Sequence, residues 1–70
     1  MADKMTEDVA RLLKNARQSK HITQLEVAKK AGINVNYYAK LERAESTPSL
    51  KTLRKVVKAL GVQSSDVLPF

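Results

Sequence analysis

The chain has no cysteine, no tryptophan, two glycines and a single histidine among its 70 residues. Without cysteine it can form neither a disulfide nor a thiolate metal site. Two glycines cannot build a glycine-rich phosphate loop, and one histidine leaves few nucleophile–base pairs of standard spacing. The acidic residues are scattered along the chain. We therefore expect no enzyme activity, no cofactor, no metal and no small-molecule ligand.

Long apolar segments are also missing. No run approaches the roughly 20 apolar residues of a membrane span, and the first four residues do not resemble a signal peptide. We expect a cytoplasmic protein with no membrane partner. Only three residues are aromatic, so the core of a single small domain over residues 1–70 must be mostly aliphatic.

Acidic residues are too few to balance the basic ones, and the formal net charge is +6. Lysine and arginine favour a polyanionic partner because they displace the counterions condensed on nucleic acid. The alternative is that the charge only keeps a small domain soluble. Because the basic residues are spread along the chain, the pattern favours a folded binding face over a charged tail. The helix signals that follow point to double-stranded DNA as the partner.

The centre of the chain carries the clearest helix signals. Thr23 and Glu26 form a capping box that starts a helix, and Gly32 can take the left-handed conformation that ends it. Asn34 can cap the following helix. Two short helices joined at a glycine predict a helix-turn-helix over about residues 23–43, which would lay its second helix in the DNA major groove.

Other helices are predicted on both sides of this unit. The first runs from near residue 3 or 6 to about Ser19, with apolar residues at helical spacing. Ser49 caps another, whose apolar stripe runs from Leu50 to Leu60 and which ends at Gly61. A short fifth helix is expected near residues 64–68. With no convincing strand, the predicted fold class is all-α.

These signals together resemble the Cro/C1-type helix-turn-helix family, which includes phage repressors and the small controller proteins of restriction–modification systems. The resemblance covers about residues 8–68 and rests on these positions: Thr23-Gln24, Glu26, Val27-Ala28, Ala31-Gly32-Ile33, Tyr37, Leu41-Glu42-Arg43, Pro48-Ser49-Leu50, Leu53, Ala59-Leu60-Gly61-Val62 and Asp66-Val67-Leu68.

The resemblance implies a five-helix repressor-like domain that acts as a homodimer on a palindromic operator. The expected function is a sequence-specific transcriptional regulator, either a repressor or an autoregulatory controller. An antitoxin, or another protein-binding module with the same fold, is the alternative. One position departs from the family pattern: Ala44 stands where glycine is usual. A left-handed alanine would cost roughly 1 kcal/mol, unless the loop is bent differently.

The third helix should present its base-reading residues near its N-terminus. Asparagine can pair with adenine, lysine can donate to guanine, and valine can meet a thymine methyl group. We expect Asn34 to serve as a cap, since backbone N–H groups occupy its side chain. The predicted base contacts are Val35, Asn36 and Lys40.

Phosphate contacts are expected around this helix. Gln24 resembles the family glutamine that binds a phosphate, although it could be an exposed residue beside a cap. Tyr37 falls at a family position for backbone contact, and the alternative is packing on a loop. The full set of phosphate candidates is Gln24, Tyr37, Arg43, Ser46, Thr47 and Lys51.

Three further expectations concern packing and assembly. The family pattern implies that Glu42 turns inward to form an ion pair with Arg17. Tyr38 should be a core residue whose hydroxyl reaches the surface. Specific binding by so short a recognition helix needs two copies, so the apolar segment over residues 62–70 is expected to form a two-fold interface, or else to cap the protein's own core. The interface candidates are Val62, Val67, Leu68 and Phe70.

Overall fold

The computed structural model describes residues 3–62, and within that range it contains four α-helices and no strand. The helices are α1 (Lys4–Ser19), α2 (Gln24–Ala31), α3 (Val35–Glu42) and α4 (Leu50–Leu60). This confirms the all-α prediction. The expected fifth helix lies outside the described residues, as do three of the four interface candidates, Val67, Leu68 and Phe70. No helix within residues 3–62 combines the length and apolar character needed to span a bilayer.

Side-chain caps fix the helix starts. Thr23 Oγ1 accepts a hydrogen bond from the Glu26 amide at 3.1 Å, and Glu26 Oε1 accepts one from the Thr23 amide at 3.2 Å. Asp3 caps α1 by accepting from the Thr6 amide at 2.7 Å, and Ser49 caps α4. Each cap satisfies a backbone N–H that the helix leaves without an internal acceptor.

Left-handed backbone occurs in the connections between helices. Gly32 (φ 70°) ends α2 and Gly61 (φ 71°) ends α4, where the sequence indicated that each helix stops. Ala44 also has φ 60°, so the alternative of a loop bent to avoid a left-handed alanine is wrong. His21 adopts φ 57° between α1 and α2. The sequence did not single out this position, because glycine is the usual signal for left-handed backbone, although histidine adopts it more often than most side chains.

An aliphatic core lies between the helices. α2 packs on α3 and α4, while α1 packs on α3 and α4 from its own side. The buried cluster consists of Val9, Leu13, Val27, Ala28, Ala31, Tyr38, Leu41, Leu53, Val56, Val57 and Leu60.

Two expectations about packing are wrong. Leu50 belongs to the apolar stripe of α4 by spacing, yet it is 63% exposed because it is the first residue of the helix, at the rim of the core beside Met5. Tyr38 is buried as predicted, but its hydroxyl is buried with it instead of reaching the surface. The hydroxyl ends beside Arg17 and Glu42, not in water.

Candidate nucleic-acid interface

The turn between α2 and α3 is closed by backbone bonds on both sides of Gly32. The Gly32 amide donates to the Lys29 carbonyl at 3.2 Å, and the Ile33 amide donates to the Ala28 carbonyl at 3.0 Å. The second bond joins residues five positions apart and is the bond typical of a helix that ends at a left-handed glycine. A Cβ at Gly32 would meet no atom within 4 Å. The turn therefore needs glycine for its backbone conformation and not for space.

The start of α3 is fixed by Asn34. Its Oδ1 accepts hydrogen bonds from the Asn36 amide at 2.7 Å and the Tyr37 amide at 3.3 Å. The side-chain oxygen is thus committed to the helix, which is the capping role expected for this residue. The base-reading candidates on α3 are held in a defined register from the first turn onward.

The three candidate base contacts differ in exposure. Asn36 and Lys40 are exposed and lie four positions apart, so they share one face of α3. Val35 is half-buried and packs on the core cluster, so it presents only part of its side chain. The exposed face of α3 therefore combines an amide and an ammonium group, which can donate to or accept from base edges.

A buried ion pair fastens α3 to α1. Arg17 Nε donates to Glu42 Oε2 at 2.7 Å, and Nη2 donates to Oε1 at 3.1 Å. The Arg17 side chain is 14% exposed and that of Glu42 only 2%. Arg17 Nη1 also donates to the Ile22 carbonyl at 3.0 Å. This two-pronged geometry fixes the end of α3 more firmly than a single charge contact would.

Gln24 joins the same network. Its Nε2 donates to Glu42 Oε1 at 3.0 Å, so the first residue of α2 is tied to the last residue of α3. Gln24 is half-buried. The bond uses one of the two N–H groups of the side-chain amide, so the second can still donate to an anion. Sequence reasoning placed this glutamine at a phosphate but gave no sign of its bond to Glu42.

The network shifts the proton affinities of its members. Burial by itself would raise the pKa of Glu42, but the hydrogen bond from Arg17, the adjacent Tyr38 hydroxyl, the hydrogen bond from Gln24 and the positive charge of Arg17 together outweigh it and hold that pKa below its ordinary value. The bond to Glu42 raises the pKa of Arg17. Burial, together with the nearby Glu42 carboxylate, raises the pKa of Tyr38. Glu42 is therefore an anion at neutral pH, neutralised by Arg17 at the C-terminal end of α3.

Tyr37 lies in the first turn of α3, and the remaining phosphate candidates lie between the end of α3 and the start of α4. Lys51 is exposed and Ser46 half-exposed, whereas Tyr37 packs partly on the core. Thr47 Oγ1 lies 3.1 Å from Thr6 Oγ1, which links this loop to α1.

Arg43 has a partner that the sequence did not reveal. Its Nε donates to Glu45 Oε2 at 2.9 Å and its Nη2 to Oε1 at 3.1 Å, on an exposed surface. Of the interface candidates, Val62 is the one that lies within the described residues, and it is half-buried against the core.

Known proteins with similar sequences include members of a helix-turn-helix family. A helix-turn-helix family model matches residues 13–67. Over 60 residues the chain is 38% identical to the immunity repressor protein of Bacillus phage phi105, an alignment that covers 86% of this chain and 42% of the repressor. The chain thus spans less than half the length of that relative.

Solved structures share the fold. The clp gene regulator ClgR from C. glutamicum superposes with a TM-score of 0.88 at 29% identity, covering 93% of this chain and 84% of that one. The restriction-modification controller protein C.Esp1396I, as a tetramer with its natural 35-base-pair operator, superposes with a TM-score of 0.86 at 25% identity, covering 90% of this chain and 83% of that one. The similarity in each case extends over most of this chain.

Proposed function

The chain belongs to the Cro/C1-type helix-turn-helix family, and we propose that it is a cytoplasmic transcriptional regulator that binds a palindromic DNA operator as a homodimer. The proposed role is binding and not catalysis. The chain covers less than half of the phage repressor, so the proposal concerns what these 70 residues do.

The observation that carries the proposal is the exposed face of α3. Asn36 and Lys40 project from a short helix whose start is capped by Asn34 and whose end is bonded to α1 through Glu42. A recognition element must be held rigidly because direct readout depends on hydrogen bonds of defined geometry. In this proposal Asn36 and Lys40 contact base edges, and the exposed part of Val35 contacts a thymine methyl group.

Phosphate contacts would set the position of α3 in the groove. Gln24 and Lys51 stand at the N-termini of α2 and α4, where free backbone N–H groups also favour an anion. Tyr37, Ser46 and Thr47 offer hydroxyl donors nearby. Arg43 can join them once it leaves Glu45. These contacts fix the register but carry no sequence information.

Two copies would place two α3 helices in successive major grooves, roughly 34 Å apart. We propose that the interface is isologous and uses the C-terminal segment, with Val62, Val67, Leu68 and Phe70 as its apolar residues. Sedimentation of the purified full chain tests this assembly. Phe70→Glu should shift the protein toward monomer and weaken operator binding together, and a wild-type protein that stays monomeric on its operator would contradict the dimer.

Selection of bound duplexes from a random pool tests the main proposal. The wild-type protein should enrich a palindrome. Lys40→Ala or Asn36→Ala should each cost about 1–3 kcal/mol in operator binding and relax the preference at particular base pairs. Gln24→Ala should weaken all sequences alike. Lys14→Ala, an exposed lysine on α1, is the control and should leave the preference unchanged. If Lys40→Ala and Asn36→Ala enriched the wild-type palindrome equally well, the proposed reading face would be wrong.

A further inference from the structure

A groove of about 660 Å³ opens where the C-terminal ends of α1, α2 and α4 come together. Its floor is aliphatic and includes Ile22 and Ala59, both half-buried. Four exposed lysines stand around it: Lys20, Lys30, Lys55 and Lys58. This set of residues is called the lysine groove below.

The lysine groove is strongly positive. Among residues 3–62, no acidic residue lines it and none of its four lysines belongs to an ion pair. Four like charges around one cleft focus an electrostatic potential that attracts anionic groups. The described part of the chain therefore supplies no carboxylate to balance the positive charge of the groove.

Helix dipoles explain only part of this arrangement. Lysines near helix C-termini are favourable because each end carries about −0.5 elementary charge. Three such ends amount to roughly −1.5, which is less than half the charge of the four lysines. Lys55 lies more than a turn before the end of α4, so the dipole does not account for it.

The groove lies away from the proposed DNA contacts. On α2, Lys30 is at the opposite end from Gln24. On α4, Lys51 lies four positions before Lys55 and seven before Lys58, which at 1.5 Å per residue is about 6 and 10 Å along the helix. No residue of α3 lines the groove. An occupant could therefore bind here while α3 contacts DNA.

We propose that the lysine groove binds an acidic peptide segment of a partner protein, one that carries apolar side chains between its carboxylates. The lysines would pair with the carboxylates, and the aliphatic floor would receive the apolar side chains. A DNA backbone offers phosphates but no apolar group to cover Ile22 and Ala59, which is why a peptide fits this surface better than a second duplex.

A titration of the isotope-labelled full chain, followed by amide NMR shifts, tests the proposal. The probe is a synthetic peptide that alternates glutamate and leucine. Its binding should shift amides of Lys20, Lys30, Lys55 and Lys58 before those of α3. A peptide with glutamine for glutamate and another with serine for leucine should each bind more weakly. Equal binding of the serine peptide, or shifts outside the groove, would overturn the proposal.

Charge-matched variants separate the groove from general attraction. Lys55→Gln/Lys58→Gln should raise the Kd for the glutamate–leucine peptide about three- to tenfold, the range expected for the loss of two exposed ion pairs. Lys14→Gln/Lys29→Gln removes the same charge from exposed lysines outside the groove and should change it less than twofold. Equal weakening by both variants, or stronger shifts of the groove amides by a non-operator duplex than by the peptide, would refute a peptide site. The Lys55→Gln/Lys58→Gln protein should still select the wild-type operator, so this result does not depend on the DNA-binding proposal.

Discussion

Arg17→Met would leave the carboxylate of Glu42, whose side chain is 2% exposed, without its counter-charge. Breaking a buried pair in this way typically costs about 3–5 kcal/mol. The folded protein can limit the loss by protonating Glu42. From the ordinary pKa of 4.5, protonation at pH 7 costs about 3.4 kcal/mol, at 1.36 kcal/mol per pH unit. We therefore expect a loss of about 3 kcal/mol at pH 7, out of a total stability of roughly 4–10 kcal/mol for a domain of this size.

Because protonation of Glu42 limits it, the stability lost in Arg17→Met depends on pH. Between pH 7 and pH 5 it should shrink by about 1.4 kcal/mol per unit, because protonating Glu42 becomes cheaper. Urea unfolding followed by circular dichroism at several pH values measures it. With a slope of about 1 kcal/mol per molar urea, the midpoint at pH 7 should fall by about 3 M.

Two controls bracket the measurement. Arg11→Met breaks an exposed pair with Asp8 and should cost less than about 0.5 kcal/mol. Arg17→Met/Glu42→Leu removes both charges and should recover most of the stability lost by Arg17→Met. A loss below about 1 kcal/mol in Arg17→Met at pH 7, or a loss that does not change between pH 7 and pH 5, would refute the view that Arg17 keeps Glu42 ionised.

Other variants test single features of the fold. Tyr38→Phe should raise the free energy of unfolding by about 1 kcal/mol in urea titrations, because the buried hydroxyl has no hydrogen-bond partner of normal geometry within the described residues; a destabilised variant would contradict this. In wild type, the raised pKa of Tyr38 means that the free energy of unfolding does not depend on ionisation of this hydroxyl below pH 10 and falls as pH rises above it, a dependence that Tyr38→Phe should abolish. Ala44→Gly should raise the thermal midpoint and add up to about 1 kcal/mol, whereas Ala39→Gly inside α3 should cost about 1 kcal/mol; equal losses would argue against a left-handed Ala44. The pKa of Glu42 is held below 4.5, so the contribution of its carboxylate to stability is complete above that pH and is lost as pH falls further. The wild-type urea midpoint should therefore drop between pH 4.5 and pH 3, and a flat midpoint would contradict this.

Local signals predicted the helices well. The capping box at Thr23 and Glu26 and the glycine stop at Gly32 act over a few residues, so the sequence alone contains the interaction that sets each boundary. The family pattern added the inward-facing Glu42 and its partner Arg17, and the structure places these two side chains in contact.

Contacts between residues that are far apart in the chain could not be predicted from the sequence. The bond between Gln24 and Glu42 joins residues 18 positions apart, and no periodicity marks it. Leu50 has the right spacing for burial, but whether a neighbour covers it depends on how the start of α1 packs beside the start of α4, and there it stays exposed next to Met5. The buried hydroxyl of Tyr38 likewise follows from the depth of the ion pair beside it, which the residue pattern does not encode.

Within the proposed DNA surface, the Glu45 carboxylate competes with DNA phosphates for Arg43. A free arginine is attracted to any phosphate, wherever it lies along a duplex. Arg43 already holds two carboxylate oxygens in good geometry, so a phosphate must offer a better fit before the arginine changes partner. Arg43 would therefore add little to non-specific binding of DNA. It would exchange Glu45 for a phosphate only when α3 lies correctly in the major groove. A charge pair that contributes little to folding can in this way help to reject the wrong site.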